Sequence, residues 1–420
     1  MSFFIHCIVL IFLLIFSPAL CQEDLNTNNI LTLKQAIETA LINNHHVRSA
    51  LSSLPITEAN LIIAKYRPNP VLGANSEIVK GGSIHPIQAG APLEIGKKRH
   101  WRIQLAKEQI SKKELEIAKV LWETRAQVHA SYASLSVGLE LYNLAKKRTE
   151  FYNSLLDIAE KRFQAGDISE LELNRTKIEL VRSQNLLSEF EGKLKRAKID
   201  FNHDIGKNPE EELVLQTPEE LKPKIKINNL SNLNEILADA INKRLETAIL
   251  EKEFGINRAQ LKKAMWERLP NLFIEGGPAK PSFHENVWGP YIGTQIEVPL
   301  FNRRQGEIKQ AKAEAEFLEK EKERIEHDIK VEVTNAFEDL KIREEQVSRF
   351  EEKVLNEADN ILDKIKTAYG QGKLTLTDVL NAEEQNRDIK GKYLESLFNY
   401  QFALASLEYA VGITLEGFSE

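Results

Sequence analysis

The chain has 420 residues, of which 28% are charged, and carries a formal net charge of −6 with a pI near 6.0. This balance gives no basis for nucleic-acid binding, which requires a basic surface. Cys7 and Cys21 are the only cysteines in the sequence. A disulfide framework and a cysteine-ligated metal site are therefore not expected. The sequence also has no HExxH, phosphate-loop, G-x-S-x-G or dinucleotide motif, so no cofactor or catalytic site is expected.

Residues 1–21 form a short apolar run that is followed at once by acidic and polar sequence. The run is too short for a bilayer span and predicts a cleaved secretory signal peptide, with Gln22 as the first mature residue. The alternative is lipid attachment at Cys21, although Leu20 is not the small residue that such a site requires. Beyond residue 21 no apolar run approaches the roughly 20 residues of a membrane helix. Any membrane contact would have to be made by strands.

The remainder of the chain is duplicated. The segment from Leu31 aligns, at an offset of 200, with the segment from Ser231. Both copies reach a Pro-Asn step, at residues 68–69 and 270–271. A helix ends there because the residue before a proline is pushed out of the α region. The sequence therefore predicts two tandem halves.

Strand-like sequence follows each Pro-Asn step. Apolar and polar residues alternate with a period of two, which predicts the strand pairs 71–79 with 84–95 and 272–278 with 289–300. Four strands cannot close a barrel on their own, because the smallest membrane barrels have about eight. Either the strands form a small soluble sheet or several chains share one barrel. The polar strand faces favour sharing.

Long helices follow the strands. Residues 96–163 and 302–369 contain no proline and show heptad spacing of apolar residues, which predicts coiled-coil helices that need partners. After a glycine-containing turn each helix resumes and runs back, to Ile205 in the first half and to Val411 in the second. Each half is therefore predicted to be two strands followed by a long helical hairpin.

The two hairpin tips have the same residue pattern. Its corresponding residues lie 206 positions apart: Phe163 and Tyr369, Gly166 and Gly372, Ser169 and Thr375, and Glu172 and Asp378. The glycines supply the open backbone that ends the outgoing helix. The hydroxyl residues are predicted to cap the returning helix, and the acidic residues to complete a capping box.

The order of these duplicated elements resembles the outer-membrane efflux protein family typified by TolC. The similarity covers essentially the whole mature chain, and VPLFNRRQGEI at residues 298–308 is similar to the heavy-metal-cation members of the CzcC and CusC group. The resemblance implies a mainly α homotrimer, in which each chain gives four strands to a twelve-stranded outer-membrane barrel. The helices would form a periplasmic α-barrel. The trimer would be a passive exit duct, not an enzyme.

The resemblance also implies partners and a gate. A periplasmic adaptor protein and an inner-membrane RND pump would select the cargo, and the barrel would contact outer-membrane lipid. Tyr369 matches a tyrosine that ties the closed state, and Asp378 matches the first of two pore aspartates. Leu374 and Asn381 replace an arginine and the second aspartate, so the closing network is expected to differ. Asp378 has its capping role as the alternative.

The predicted organisation follows from these assignments. In chain order it is a signal peptide (1–21), N-terminal helices (22–68), a β-hairpin (69–95), a helical hairpin (96–206, tip 163–172), a linker (207–230), second-repeat helices (231–269), a β-hairpin (270–301), a helical hairpin (302–411, tip 369–381) and a tail (412–420).

Other functions and one surface remain open. A duct for drugs or for type I protein secretion has the same family fold, and a periplasmic adaptor or coiled-coil scaffold is the more distant alternative. The basic clusters at residues 96–102 and 302–306 directly follow the strands. We hypothesise that both lie at the membrane interface near anionic head groups.

Overall fold

The computed structural model describes residues 30–215, 221–223, 232–282, 287–350 and 352–415. The predicted signal peptide lies outside the described residues, as do parts of the predicted linker and tail. Within the parts of the chain that are described, we find no helix that is both long and apolar enough to cross a bilayer.

Short helices open both halves. The first half has α1 (Leu33–Asn43), α2 (His45–Ser52) and α3 (Leu54–Lys65). The second half has α6 (Leu233–Lys243) and α7 (Leu245–Glu267). Helices α1 and α6 begin and end at residues that lie 200 positions apart, which confirms the repeat. Thr32 and Asn232 each accept a hydrogen bond from a backbone amide of the first turn and so begin these helices.

The strands of the two halves meet in one sheet. In chain order the strands are β1 (Ile30–Leu31), β2 (Val71–Ala74), β3 (Glu77–Val79), β4 (Gly82–Leu93), β5 (Val214–Leu215), β6 (Leu272–Pro281) and β7 (Gly289–Ile296). Strands β2, β4, β6 and β7 pair antiparallel in that order, and β3 also pairs with β4. The β4–β6 pairing joins the two halves. Strands β1 and β5 form a separate parallel pair.

The strands that lead into the two helical hairpins, β4 and β7, end earlier than the alternation of apolar and polar residues predicted. Strand β4 ends at Leu93 and β7 at Ile296, so the predicted ends at residues 95 and 300 are wrong. Beyond β7, Pro299 has no amide to donate to a ladder, and the amide of Leu300 bonds back to the carbonyl of Val298. The chain therefore turns out of the sheet while its apolar alternation continues.

The long helices form two hairpins. They are α4 (Lys98–Gln164) and α5 (Glu170–Asp204) in the first half, and α8 (Gln305–Ser348), α9 (Glu352–Gly370) and α10 (Leu376–Val411) in the second. Helix α4 has 67 residues and is therefore on the order of 100 Å long. The predicted unbroken helix over 302–369 is wrong, because α8 ends at Ser348. The amide of Phe350 bonds to Val347, and its ring packs on Tyr393 of α10.

The basic cluster at the start of α4 has a structural role. Lys98 donates to the carbonyl of Leu269 at 2.5 Å and to the side chain of Asn271 at 2.6 Å, just beyond the end of α7. Arg99 and Arg102 donate to carbonyls at the end of α3. These cations satisfy free carbonyls at the ends of two helices, where positive charge is favourable. These bonds give the three side chains a structural role, and the hypothesis of a membrane-interface role stays a prediction.

Candidate functional site

The two hairpin tips turn in the same way. Gly166 and Gly372 both have positive φ, 80° and 74°, a backbone conformation that glycine adopts without strain. The amide of each bonds to a carbonyl three residues earlier, at Phe163 and Tyr369. The following amide in each tip bonds five residues back. This is the Schellman pattern of helix ends, and it confirms the predicted turns.

The returning helices begin with different caps. Thr375 and Asp378 form the full capping box, in which each side chain accepts from the other's backbone amide. Ser169 accepts from the amide of Glu172, but the reciprocal bond is not made. The capping box predicted for the first tip is therefore wrong. The carboxylate of Glu172 is turned away from the helix start and bonds across to the second tip.

Tyr369 connects the two tips. Its ring is fully buried, and its hydroxyl donates to Oε1 of Glu172 at 3.1 Å. The guanidinium of Arg162 lies 4.6 Å from the ring centroid, and its Nη1 donates to the carbonyl of Tyr369 at 3.0 Å. Burial, together with the negative charge of Glu172, raises the pKa of Tyr369 to about 12. The tyrosine thus stays neutral and ties the end of α9 to both helices of the first hairpin.

The other tip residues do not join this cluster. Asp378 and Asn381 are exposed, and Phe163 is 40% exposed on the first tip. The bonds from Thr375 lower the pKa of Asp378. Among the described residues no group of three or more acidic, histidine or cysteine side chains could hold a metal ion. The tips therefore provide a cross-tip contact and an exposed rim.

Arg162 was missed by sequence reasoning. The expected arginine position in the second tip holds Leu374, and nothing in the pattern directs attention to the opposite tip. In the structure the cation beside Tyr369 is Arg162, which lies in the first hairpin directly before Phe163. The one available signal was a difference between the two tips: at the tip offset of 206 positions, Arg162 of the first tip corresponds to Ala368 of the second.

A second cross-half cluster lies nearer the middle of the hairpins. Glu383 of α10 accepts from the hydroxyl of Tyr152 at 2.9 Å and lies 3.0 Å from Nε of Arg148 on α4. All three side chains are largely buried. Burial raises the pKa of Tyr152 above its ordinary value. Helices α4 and α10 are thus connected by charged and polar groups above the tips, and an ion pair held away from water is costly to leave incomplete.

The strands have their apolar face outside. Leu72, Ile87 and Ile292 are 82%, 57% and 80% exposed, whereas Gln88 on the opposite face is 7% exposed. On that inner face the hydroxyl of Tyr291 donates to Oε1 of Glu77 at 2.9 Å. A sheet in a water-soluble protein normally buries its apolar face. This sheet has the reverse arrangement, as expected for strands whose apolar side meets hydrocarbon.

Two glycines, Gly90 and Gly293, leave room for the Glu275 side chain on the inner face of the sheet. A Cβ atom on Gly90 would come within 2.6 Å of Phe273 and 2.7 Å of Glu275. One on Gly293 would come within 2.7 Å of the Glu275 carboxylate. Glu275 therefore lies across two neighbouring strands rather than projecting from them. The inner face of the sheet therefore carries the negative charges of Glu77 and Glu275.

Comparison with known proteins agrees with this architecture. The sequence model of the family described as "Outer membrane efflux protein" matches residues 36–203. The chain is 23% identical over 410 residues to the cobalt-zinc-cadmium resistance protein CzcC of Cupriavidus metallidurans, covering 94% of this chain and 95% of that protein.

Solved outer-membrane channels have the same fold. The structure of CusC superposes with a TM-score of 0.73 at 17% identity, covering 94% of this chain and 96% of that one. The Campylobacter jejuni CmeC outer membrane channel gives 0.74 at 15% identity, covering 94% and 90%. The Vibrio cholerae outer membrane protein VceC gives 0.71 at 15% identity, covering 91% and 96%. The chain is thus similar to the outer membrane efflux protein family over residues 36–203, and it has the fold of solved outer-membrane channels.

Proposed function

We propose that this protein is the outer-membrane exit duct of a tripartite efflux system and that it carries heavy-metal cations. The observation that carries the proposal is the combination of an inside-out sheet with two long helical hairpins. The sheet meets lipid on its apolar side, as the exposure of Leu72 and Ile292 requires. The hairpins extend from it into the periplasm and provide a wall for the conduit.

Three copies would complete the structure. Strands β2 and β7 form the two ends of the described β2–β4–β6–β7 path. An unpaired edge cannot remain in hydrocarbon, because each free amide and carbonyl there costs several kcal/mol. Pairing β7 of one copy with β2 of the next removes both edges. The similar solved structures are outer-membrane channels. We propose a homotrimer, in which the strands of three copies close one barrel.

The tips would form the gate. Tyr369, Glu172 and Arg162 hold the end of α9 against the first hairpin, so their separation would release the second tip. Phe163, Asp378 and Asn381 remain available on the rim for a periplasmic adaptor. An inner-membrane RND pump would then supply the energy for export.

The cargo proposal rests on similarity and on charge. CzcC is a cobalt-zinc-cadmium resistance protein, and the chain aligns with nearly all of it. The inner strand face carries Glu77 and Glu275, whose carboxylates favour cations by simple electrostatics. Drug efflux and type I protein secretion use ducts of the same fold and are the alternatives. An adaptor or scaffold fits less well, because each hairpin here is preceded by strands with an exposed apolar face.

Deletion and complementation test the proposal. A strain that lacks this gene should lose tolerance to at least one of cobalt, zinc, cadmium, copper or silver, and the wild-type gene should restore it. Unchanged tolerance to all five, with increased sensitivity to hydrophobic drugs, would replace the metal cargo by drugs. A protein that is recovered from the periplasm without detergent would contradict the duct itself.

A further inference from the structure

An open basic groove lies where β7 leaves the sheet and α8 begins. It has a volume of about 570 Å³, and its lining includes Arg268, Arg303, Lys309, Lys312, Leu300 and Phe301. The four cations come from three elements: Arg268 directly follows α7, Arg303 lies in the connecting segment, and the two lysines lie one turn apart on α8. The groove is therefore assembled by the fold rather than by one run of sequence.

These four cations have no acidic partner within 4 Å among the described residues. Three cations of the first cluster are engaged elsewhere: Lys98, Arg99 and Arg102 bind helix ends. Arg304 forms ion pairs with the carboxylates of Glu307, at 2.8 Å, and Glu267, at 3.6 Å. Like charges held together without a partner repel one another, so an anion would stabilise the groove.

Arg304 also fixes the direction of the chain. Its φ of 56° makes it the one residue other than glycine with positive φ in the described parts of the chain. L-amino acids other than glycine rarely adopt this left-handed conformation, because the Cβ atom then crowds the following carbonyl oxygen. The turn is held by the side chain of Asn302, which accepts from the Arg304 amide. It leaves Arg303 exposed at the mouth of the groove.

The apolar side of the groove continues the lipid-facing surface. Ile292, Ile296, Val298 and Leu300 follow one another at alternate positions and are all exposed. Phe301 is 92% exposed and directly adjoins the cations. Apolar side chains beside a cationic cluster match a phospholipid, whose acyl chains and phosphate are joined in one molecule. A free inorganic anion would have no use for the exposed phenyl ring.

We propose that this groove binds the phosphate of an anionic phospholipid, with Arg303 and Lys309 as its principal cations and Leu300 and Phe301 against its acyl chains. The inference rests on the proposed membrane placement, because it positions the groove at the boundary between hydrocarbon and water. One such lipid would lie at each strand exit of the second half. It would fix the height of the protein in the leaflet.

Native mass spectrometry of the detergent-purified protein tests this. The probes are dioctanoyl phosphatidylglycerol, dioctanoyl phosphatidylcholine and sn-glycerol 3-phosphate. Wild type should prefer phosphatidylglycerol, and 0.5 M salt should reduce that preference. The variant Arg303→Gln/Lys309→Gln should bind phosphatidylglycerol about 25-fold more weakly, at about five-fold for each cation near an anionic surface. The matched variant Lys330→Gln/Lys341→Gln removes two exposed, unpaired lysines elsewhere on α8 and should bind within two-fold of wild type.

Several results would overturn the inference. Equal retention of the two lipids by wild type, or a preference that salt does not change, would do so without any variant. Glycerol 3-phosphate that competes fully with the lipid would assign the groove to soluble anions instead. Loss of the trimer in Arg303→Gln/Lys309→Gln, with the phosphatidylglycerol preference retained by the monomers of that variant, would assign the cations to a contact with a second copy of the chain. Recovery of the protein without detergent would instead contradict the proposed membrane placement.

Discussion

The cross-tip hydrogen bond of Tyr369 gives a quantitative prediction for the gate. The variant Tyr369→Phe keeps the buried ring and its packing against Arg162, and removes only the hydroxyl that donates to Glu172. A hydrogen bond to a charged group contributes about 1.5–3 kcal/mol. Glu172 is half-buried, so we take the lower end, about 1.5 kcal/mol for each chain. The ratio of open to closed tips should therefore rise about ten-fold for each chain.

Single-channel recording in planar bilayers measures this ratio as the open probability. A double-mutant cycle with Glu172→Ala isolates the Tyr369–Glu172 interaction from the other effects of each substitution. Its coupling energy should be close to the same 1.5 kcal/mol. Tyr142→Phe is the matched control, because Tyr142 is a half-buried tyrosine of α4 whose hydroxyl has no recorded partner in the described residues. The reasoning is refuted if Tyr369→Phe opens no more often than Tyr142→Phe, or if the cycle shows no coupling.

Three further predictions concern stability. Glu383→Gln should lower the free energy of unfolding by about 3–5 kcal/mol, because it leaves the buried Arg148 without its counter-charge; thermal unfolding in detergent measures this. Gly206→Ala should destabilise strongly in the same assay, because φ is 73° and the new Cβ would lie 2.3 Å from a backbone oxygen at the end of α1. Burial plays little part at Asp378, whose bonds to Thr375 lower its pKa below the ordinary value of 3.8; these bonds therefore stabilise the start of α10 above pH 3.8 and are lost as pH falls through the folded value, so the hydrogen-exchange protection factors of residues 375–379, taken relative to the intrinsic exchange rate at each pH, should fall as the pH is lowered below 3.8.

Each stability prediction has a control. Glu384→Gln removes the exposed neighbour of Glu383 and should leave the unfolding midpoint nearly unchanged; an equal loss from both variants would contradict the buried ion pair. Gly192→Ala lies inside α5 with open space at its Cβ and should stabilise by about 0.5–1 kcal/mol, opposite in sign to Gly206→Ala. In Asp378→Asn the protection factors of these amides should stay the same over that pH range. A pH dependence that survives this substitution would assign the effect to another group.

Local chemistry explains which parts of the fold could be predicted. The repeat, the strand pairs and the glycine turns depend on short-range rules: Pro-Asn ends a helix, alternation makes a strand, and Gly166 and Gly372 adopt positive φ. These features leave a pattern in neighbouring residues. The interruption after Ser348 leaves none, because it contains neither glycine nor proline and depends on the packing of Phe350 against α10.

The site could be predicted only in part for the same reason. Tyr369 and Glu172 were identified from the tip pattern, but their mutual bond joins residues 197 positions apart. Glu172 was expected to cap its own helix, and the longer-range partner displaced that local role. Arg162 and the Arg148–Glu383 pair likewise join different halves of the chain. Spacing within one helix carries no information about such contacts.

The two basic clusters, at residues 96–102 and 302–306, have similar sequences but make different contacts in the fold. Both clusters look alike in sequence, and both place cations where a helix begins. Lys98 and its neighbours turn back onto the ends of α3 and α7, whereas Arg303 faces solvent beside Phe301. Only the folded chain separates the cations that bind helix ends or carboxylates from Arg303, which has no acidic partner among the described residues.

The central claim is that copies of this chain form an open-ended duct through a membrane. Reconstitution of the purified protein into planar bilayers tests it most directly. The account predicts discrete, cation-selective conductance steps from particles that contain three chains, with more frequent opening in Tyr369→Phe. A protein that inserts as three chains but conducts no ions in any variant, or that conducts as a single chain, would contradict the account.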